Sequence, residues 1–202
     1  MVTAQDKSSS IDGRRRILKL GIAGICSALL PAAPLAQTGI VRQLDVPYEP
    51  TPHHVVDGML ALANVGPHDL LYDLGCGDGR IVITAAQTRG ARGVGIDLDP
   101  RRIADAIANA RKAGVEDKVK FMVGDLYASE FSDATVVTLF LWPHVNRKLR
   151  PILWRQLRPG TRVVSHVWDM GEEWPPDRTE VIDGRKIYLW TITDAQKKLA
   201  GK

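Results

Sequence analysis

Seven residues, Asp73-Leu74-Gly75-Cys76-Gly77-Asp78-Gly79, carry the densest chemical signal in the chain. Glycines at alternate positions let a backbone bend tightly and come close to a bound group. A carboxylate opens the loop, where it can accept a hydrogen bond from a ligand ammonium. A second acid, Asp97, ends the run Gly93-Val94-Gly95-Ile96-Asp97, 18 residues beyond Gly79. A third, Asp125, ends Val123-Gly124-Asp125. One acid at a strand tip can be a helix cap, and that is the reading for Asp99. Three at successive tips make a set, with one for an ammonium, one for both hydroxyls of a ribose and one for an adenine amino group.

The competing ligand is a nicotinamide or flavin dinucleotide. Its Gly-x-Gly-x-x-Gly fingerprint leaves room for a pyrophosphate at a helix N-terminus. Here the third glycine position is Arg80, and an acid-lined loop repels pyrophosphate. S-adenosylmethionine (SAM) has an ammonium group, a cationic sulfonium and no phosphate, so it suits the three acids better.

The elements that must hold these residues can be read from period and breakers. Thr51-Pro52 reads as an N-cap followed by proline in the first turn, and Val55, Val56, Met59, Leu60 and Ala63 recur at helical spacing until Gly66-Pro67. Strands are expected at 70–74, 92–96, 119–123, 135–141 and 162–167. Helices are expected at 80–89, 100–113 and 146–157. Asp183-Gly184 between residues 179–182 and 185–191 is a strong hairpin signal. Strands alternating with helices predict an α/β fold, a Rossmann-like doubly wound and mostly parallel sheet with a C-terminal antiparallel hairpin.

Charge locates the remaining function classes. The chain has 27 Lys and Arg against 23 Asp and Glu, but the first 36 residues hold five cations and two anions, leaving 22 against 21. A near-neutral body argues against nucleic acid as a partner. Two cysteines, Cys26 and Cys76, and scattered histidines offer no metal-ligand spacing, so no metal is expected. Residues 13–19 are basic, 20–30 are apolar and 31–36 are rich in Ala and Pro. That order predicts a signal peptide over 1–36 ahead of a catalytic domain over 37–202, with no membrane span beyond the leader. Arg14-Arg15 with Lys19 resembles the twin-arginine consensus, which implies the twin-arginine export machinery as a partner and a periplasmic location. Without a working leader the location would be cytoplasmic.

Through the glycine loop, Asp97 and Asp125, residues 46–192 resemble the class I SAM-dependent methyltransferases. Tyr48-Glu49-Pro50-Thr51, the run 73–83 and Pro159-Gly160-Thr-Arg-Val-Val-Ser165 look closest to the non-SET protein-lysine methyltransferases, of the ATP-synthase c-subunit type and more distantly the nucleosomal histone H3 type. The resemblance implies that Tyr48 and Thr51 close over the methionine end of SAM, with Asp73, Gly75 and Gly77 below it, Asp97 on the ribose and Asp125 near the adenine. The histone enzymes carry an asparagine where this chain has Thr138. Trp142, Pro143 and Asn146 are the substrate-pocket candidates just past the fourth strand, with His144, Tyr48, His166 and Trp168 nearby. Ordinary packing is the alternative for Trp142 and Trp168, and a core or capping role is the reading for His166. The implied reaction is methyl transfer to a protein side-chain amine, with no catalytic residue assigned. A small-molecule acceptor and a non-catalytic exported protein that binds SAM or a nucleoside are the alternatives.

Overall fold

A computed structural model describes residues 48–201. The elements run α1 (His53–Leu62), β1 (Leu70–Leu74), α2 (Arg80–Arg89), β2 (Arg92–Asp97), α3 (Pro100–Ala113), β3 (Val119–Val123) and β4 (Val136–Leu139). They continue with α4 (Pro143–Gln156), β5 (Arg162–His166), β6 (Arg178–Ile182), β7 (Arg185–Thr191) and α5 (Asp194–Ala200). The seven strands lie in the order β3-β2-β1-β4-β5-β7-β6. β1 to β5 are parallel, while β7 is antiparallel to both β5 and β6. The predicted doubly wound sheet with a terminal antiparallel hairpin is the fold observed. The leader predicted over 1–36 lies outside the described residues.

Strand residues face alternate sides, and each side meets its own helices. Leu71, Val136 and Val164 pack with Val55 and Met59 of α1 and Val82 of α2. On the other side Leu74, Val137 and Val163 pack with Leu149, Leu153 and Trp154 of α4. The sheet order reverses between β1 and β4, and the loops at the carboxyl ends of these strands diverge there. An open parallel sheet leaves a crevice at such a point.

Local chemistry departs from the sequence expectation in a few places. Pro52, not Thr51, caps α1, its carbonyl accepting from the N–H groups of Val55 and Val56. Thr51 is thereby free to use its hydroxyl elsewhere. β4 stops at Leu139, because Phe140 and Leu141 leave the sheet to line a cleft. α4 begins at Pro143, with Trp142 in the N-cap place and proline in the first turn, where its missing N–H costs nothing. α5 is closed by a capping box between Thr193 and Gln196 and goes beyond the sequence expectation, since it buries no residue and shows no apolar period. The hairpin turn has positive φ at Asp183 (47°) and Gly184 (76°), as the Asp-Gly pair demands.

Candidate functional site

The parallel register sets the three acids side by side. Asp73 of β1 pairs with Gly95 of β2 and Thr138 of β4, and Asp97 pairs with Val123, two residues before Asp125. One cleft at these strand tips is lined by Tyr48, Thr51, Asp73, Gly75, Gly77, Asp97 and Asp125, together with Glu49, Arg102, Phe140 and Leu141. Every residue expected from the sequence to hold a cofactor lies in this one cleft.

Asp73 is 2% exposed, and Thr138 Oγ1 donates to its carboxylate at 2.8 Å. Burial pushes its pKa up to about 7, against the lowering effect of that hydrogen bond, and the charges of Asp97 and Asp78 add to the rise. A buried carboxylate among other carboxylates is a seat for a cation. Burial, followed by the charges of Asp73 and Asp97, also pushes the Cys76 thiol up, so it stays protonated. Asp97 accepts from Gly77 N at 2.8 Å and from Asp99 N at 2.9 Å, one bond on each oxygen. Each oxygen keeps a lone pair for a further donor. Asp125 accepts from Tyr127 N at 2.9 Å. Asp99 caps α3 through Arg101 N, as expected.

Residues 48–51 roof the glycine loop. The Tyr48 ring lies against Gly77, whose φ is +53°, and a Cβ there would meet Tyr48 Cε2 at 2.4 Å. The Arg102 guanidinium sits 4.6 Å from the same ring. Arg80, at the position where a dinucleotide fold would have glycine, grips Asp78 through Nε (2.9 Å) and Nη2 (2.6 Å). Its Nη1 donates to the carbonyl of Thr51 at 2.9 Å. Thr51 Oγ1 in turn shares a hydrogen bond with His166 Nδ1, 3.2 Å away. Burial first, and then the charge of Arg185, lower the His166 pKa to about 4, so the ring is neutral near pH 7. The Arg80 clamp escapes a reading of the sequence because it joins residues 29 apart, although the departure from glycine at position 80 is visible there.

A second cleft adjoins the first and shares Glu49 and Phe140 with it, its other walls being Trp142, Val167, Trp168 and Arg185. Trp142 is 48% and Trp168 38% exposed. Both indoles are thus partly open to the second cleft. Pro143 opens α4, and neither it nor the fully buried Asn146 lines either of these two clefts. His166 is buried, its ring 4.1 Å from that of Phe140.

The family model for the ANTKMT methyltransferase domain matches residues 73–178. A protein-lysine N-methyltransferase of Saccharolobus islandicus is 44% identical over 151 residues, which cover 73% of this chain and 94% of that protein. The lysine N-methyltransferase of the ATP synthase c-subunit from Mus musculus is 32% identical over 70% of this chain, which spans only 56% of that longer protein. A crystal structure described as an RNA methyltransferase from Salinibacter ruber, in complex with S-adenosyl-L-homocysteine, is 60% identical. It covers 72% of this chain and 95% of its own, with a TM-score of 0.71. The chain thus belongs to the ANTKMT methyltransferase domain family and is a SAM-dependent methyltransferase.

Proposed function

We propose that this enzyme methylates a lysine side-chain amine of a protein, with the acceptor entering through the second cleft. The observation that carries the reading is the aromatic, Glu49-bearing cleft that opens directly onto the cofactor cleft. Indole faces and a carboxylate suit an alkyl stem that ends in a cation. Relatives named for lysine methylation lend support, including the archaeal protein at 44% identity.

The residues present fit SAM, because Asp73 is buried beside Asp97 and Asp78, a setting that favours a bound cation. When bound, SAM supplies a methyl group made electrophilic by its sulfonium. Asp73 would take the ammonium, Asp97 the ribose hydroxyls and Asp125 the adenine amino group. Tyr48 and Thr51 would close over the methionine end and keep water away, held there by Arg80 and His166. In-line displacement asks the protein chiefly to aim an uncharged nucleophile. The half-buried Arg185 in the acceptor cleft favours the neutral amine over the ammonium by like-charge repulsion. Glu49, exposed at the mouth, is placed to pass the released proton to solvent.

The name of the Salinibacter ruber structure raises RNA as a second acceptor. The near-neutral body weighs against it, since phosphate contacts need a cationic face. Incubating the protein with methyl-labelled SAM and a cell extract separates the two readings. Label in protease-sensitive material that yields methyllysine on hydrolysis is expected, and nuclease-sensitive label would refute the lysine assignment.

We further propose that residues 1–36 are a twin-arginine signal and that the domain from residue 37 onward acts in the periplasm. The order of basic, apolar and small residues supports this.

A further inference from the structure

Val167 is the one β-branched residue with positive φ among the described residues, at +67°. The other two non-glycine cases, Asn64 and Asp183, are of types that tolerate that region. Trp168 N donates to His166 O at 2.8 Å, closing a three-residue turn around Val167 in its rare, strained form. Val167 N is held by Lys186 O at 2.8 Å. Strain of this kind persists where the surroundings over-determine it, and it gathers at sites that use the geometry.

The surroundings here are specific. Asn146 is fully buried on α4, and its Nδ2 faces three oxygens, Trp168 O at 3.1 Å, Asp169 O at 3.3 Å and Ser165 Oγ at 3.3 Å. Three acceptors around one end of the amide fix which end is nitrogen. Ser165, also fully buried, donates its hydroxyl to Trp168 O at 2.6 Å. One helical turn along α4, Arg150 Nη1 donates to Met170 O at 2.7 Å, and its Nη2 pairs with Glu173. Asn146 and Arg150 stand four apart, so one face of the helix grips the loop from Trp168 to Glu173. That loop carries Trp168 outward into the cleft it shares with Trp142, Phe140 and Glu49.

We propose that Asn146 is a positioning residue for the methyl acceptor. With Ser165 it holds the strained turn at Val167, and the turn fixes Trp168 as a wall of the mouth that receives the amine and its alkyl stem. The ligand class rests on the lysine reading above. Asn146 touches neither cofactor nor acceptor, and its effect runs through Trp168.

A double-mutant cycle tests this, read by NMR titration of N-acetyl-lysine N-methylamide into full-length protein saturated with S-adenosylhomocysteine. Asn146→Ala and Trp168→Ala should each weaken the amide roughly tenfold, and the pair should weaken it no more than either alone. Affinity for S-adenosylhomocysteine should stay within about twofold throughout. Because a buried change can unfold a protein, the second arm uses Val167→Gly, which accepts positive φ without strain. Adding it to Asn146→Ala should restore most of the lost amide affinity, whereas a purely structural Asn146 would gain nothing. Additive losses, no rescue, or no binding of the amide to the wild type would overturn the proposal. The lysine reading is judged separately, by where methyl label goes in an extract. Additive losses with label on lysine would remove the positioning role alone.

Discussion

At the scale of single residues, Asp73 sets a conflict between stability and binding. Its folded pKa of about 7 stands well above the ordinary carboxylate value, chiefly through burial. The protonated acid is therefore the form the empty fold prefers. This contribution is complete below the unfolded pKa near 4 and is lost as pH rises towards 7. An ammonium held at Asp73, as proposed above, needs the carboxylate, so SAM binding should expel a proton below pH 7. Calorimetric affinity should fall by up to about tenfold per pH unit between pH 7 and 5, with proton release seen as a dependence on buffer ionisation enthalpy. Asp73→Asn should weaken SAM by about 100-fold yet raise the stability of the empty protein by about 2–4 kcal/mol at pH 8. A variant that melts no higher would show that Asp73 carries no burial cost. Asp97→Ala should weaken SAM by roughly 10- to 100-fold, because it also removes the carboxylate that accepts from the Gly77 N–H of the glycine loop. Unchanged affinity in titration would remove Asp97 from the ribose.

At the scale of elements, the two ends of the sheet divide the labour. At the end away from the cleft, Arg162 of β5 pairs with Asp69 and donates to the carbonyls of Ala63 and Asn64. Burial would raise the Asp69 pKa, but hydrogen bonds from Thr135 Oγ1 and Gly66 N, with the Arg162 charge, hold it below the usual value. Asp69→Ala should cost about 3 kcal/mol in urea denaturation and leave SAM affinity within about twofold. A cost near zero would mean the network is idle. Its stabilisation should also fade as pH drops below the ordinary Asp value, the sign opposite to that for Asp73. The periodic elements were legible because period and breakers coincide, as in Pro100–Ala113 with Asp99 before it and Gly114 after. α5 was not, since a helix that buries nothing has no apolar face to read. The acids at 73, 97 and 125 were legible because successive parallel strands turn sequence order into neighbours. The second cleft was not, because Glu49, Phe140, Trp168 and Arg185 come from four separate segments that only the folded sheet brings together. The place of Asn146 just past the fourth strand is legible, but its direction depends on helix rotation, which the sequence leaves open.

At the scale of the whole molecule, the proposed leader would decide where the chemistry is used. Among the described residues no helix is long and apolar enough to cross a membrane. A twin-arginine signal is read by a receptor, so the identity of Arg14 and Arg15 should matter beyond their charge. Replacing both with lysine should shift a tagged protein from the periplasmic to the cytoplasmic fraction. Equal export of both forms would point to the general secretory route, which threads chains unfolded and so could not carry SAM across. A wild type found only in the cytoplasm would end the export proposal.

The sheet order also bears on how such an enzyme changes its clientele over generations. The three acids lie at or just past the ends of β1, β2 and β3, whereas the walls of the second cleft, Glu49 apart, come from residues after β4, after β5 and at the start of β7. In the sheet the halves meet where β1 pairs with β4, with Asp73 beside Thr138. A lineage can thus inherit the donor half intact while its acceptor half is rewritten. Descendants that serve different targets should have drifted apart first along residues 140–186 and last along 73–125.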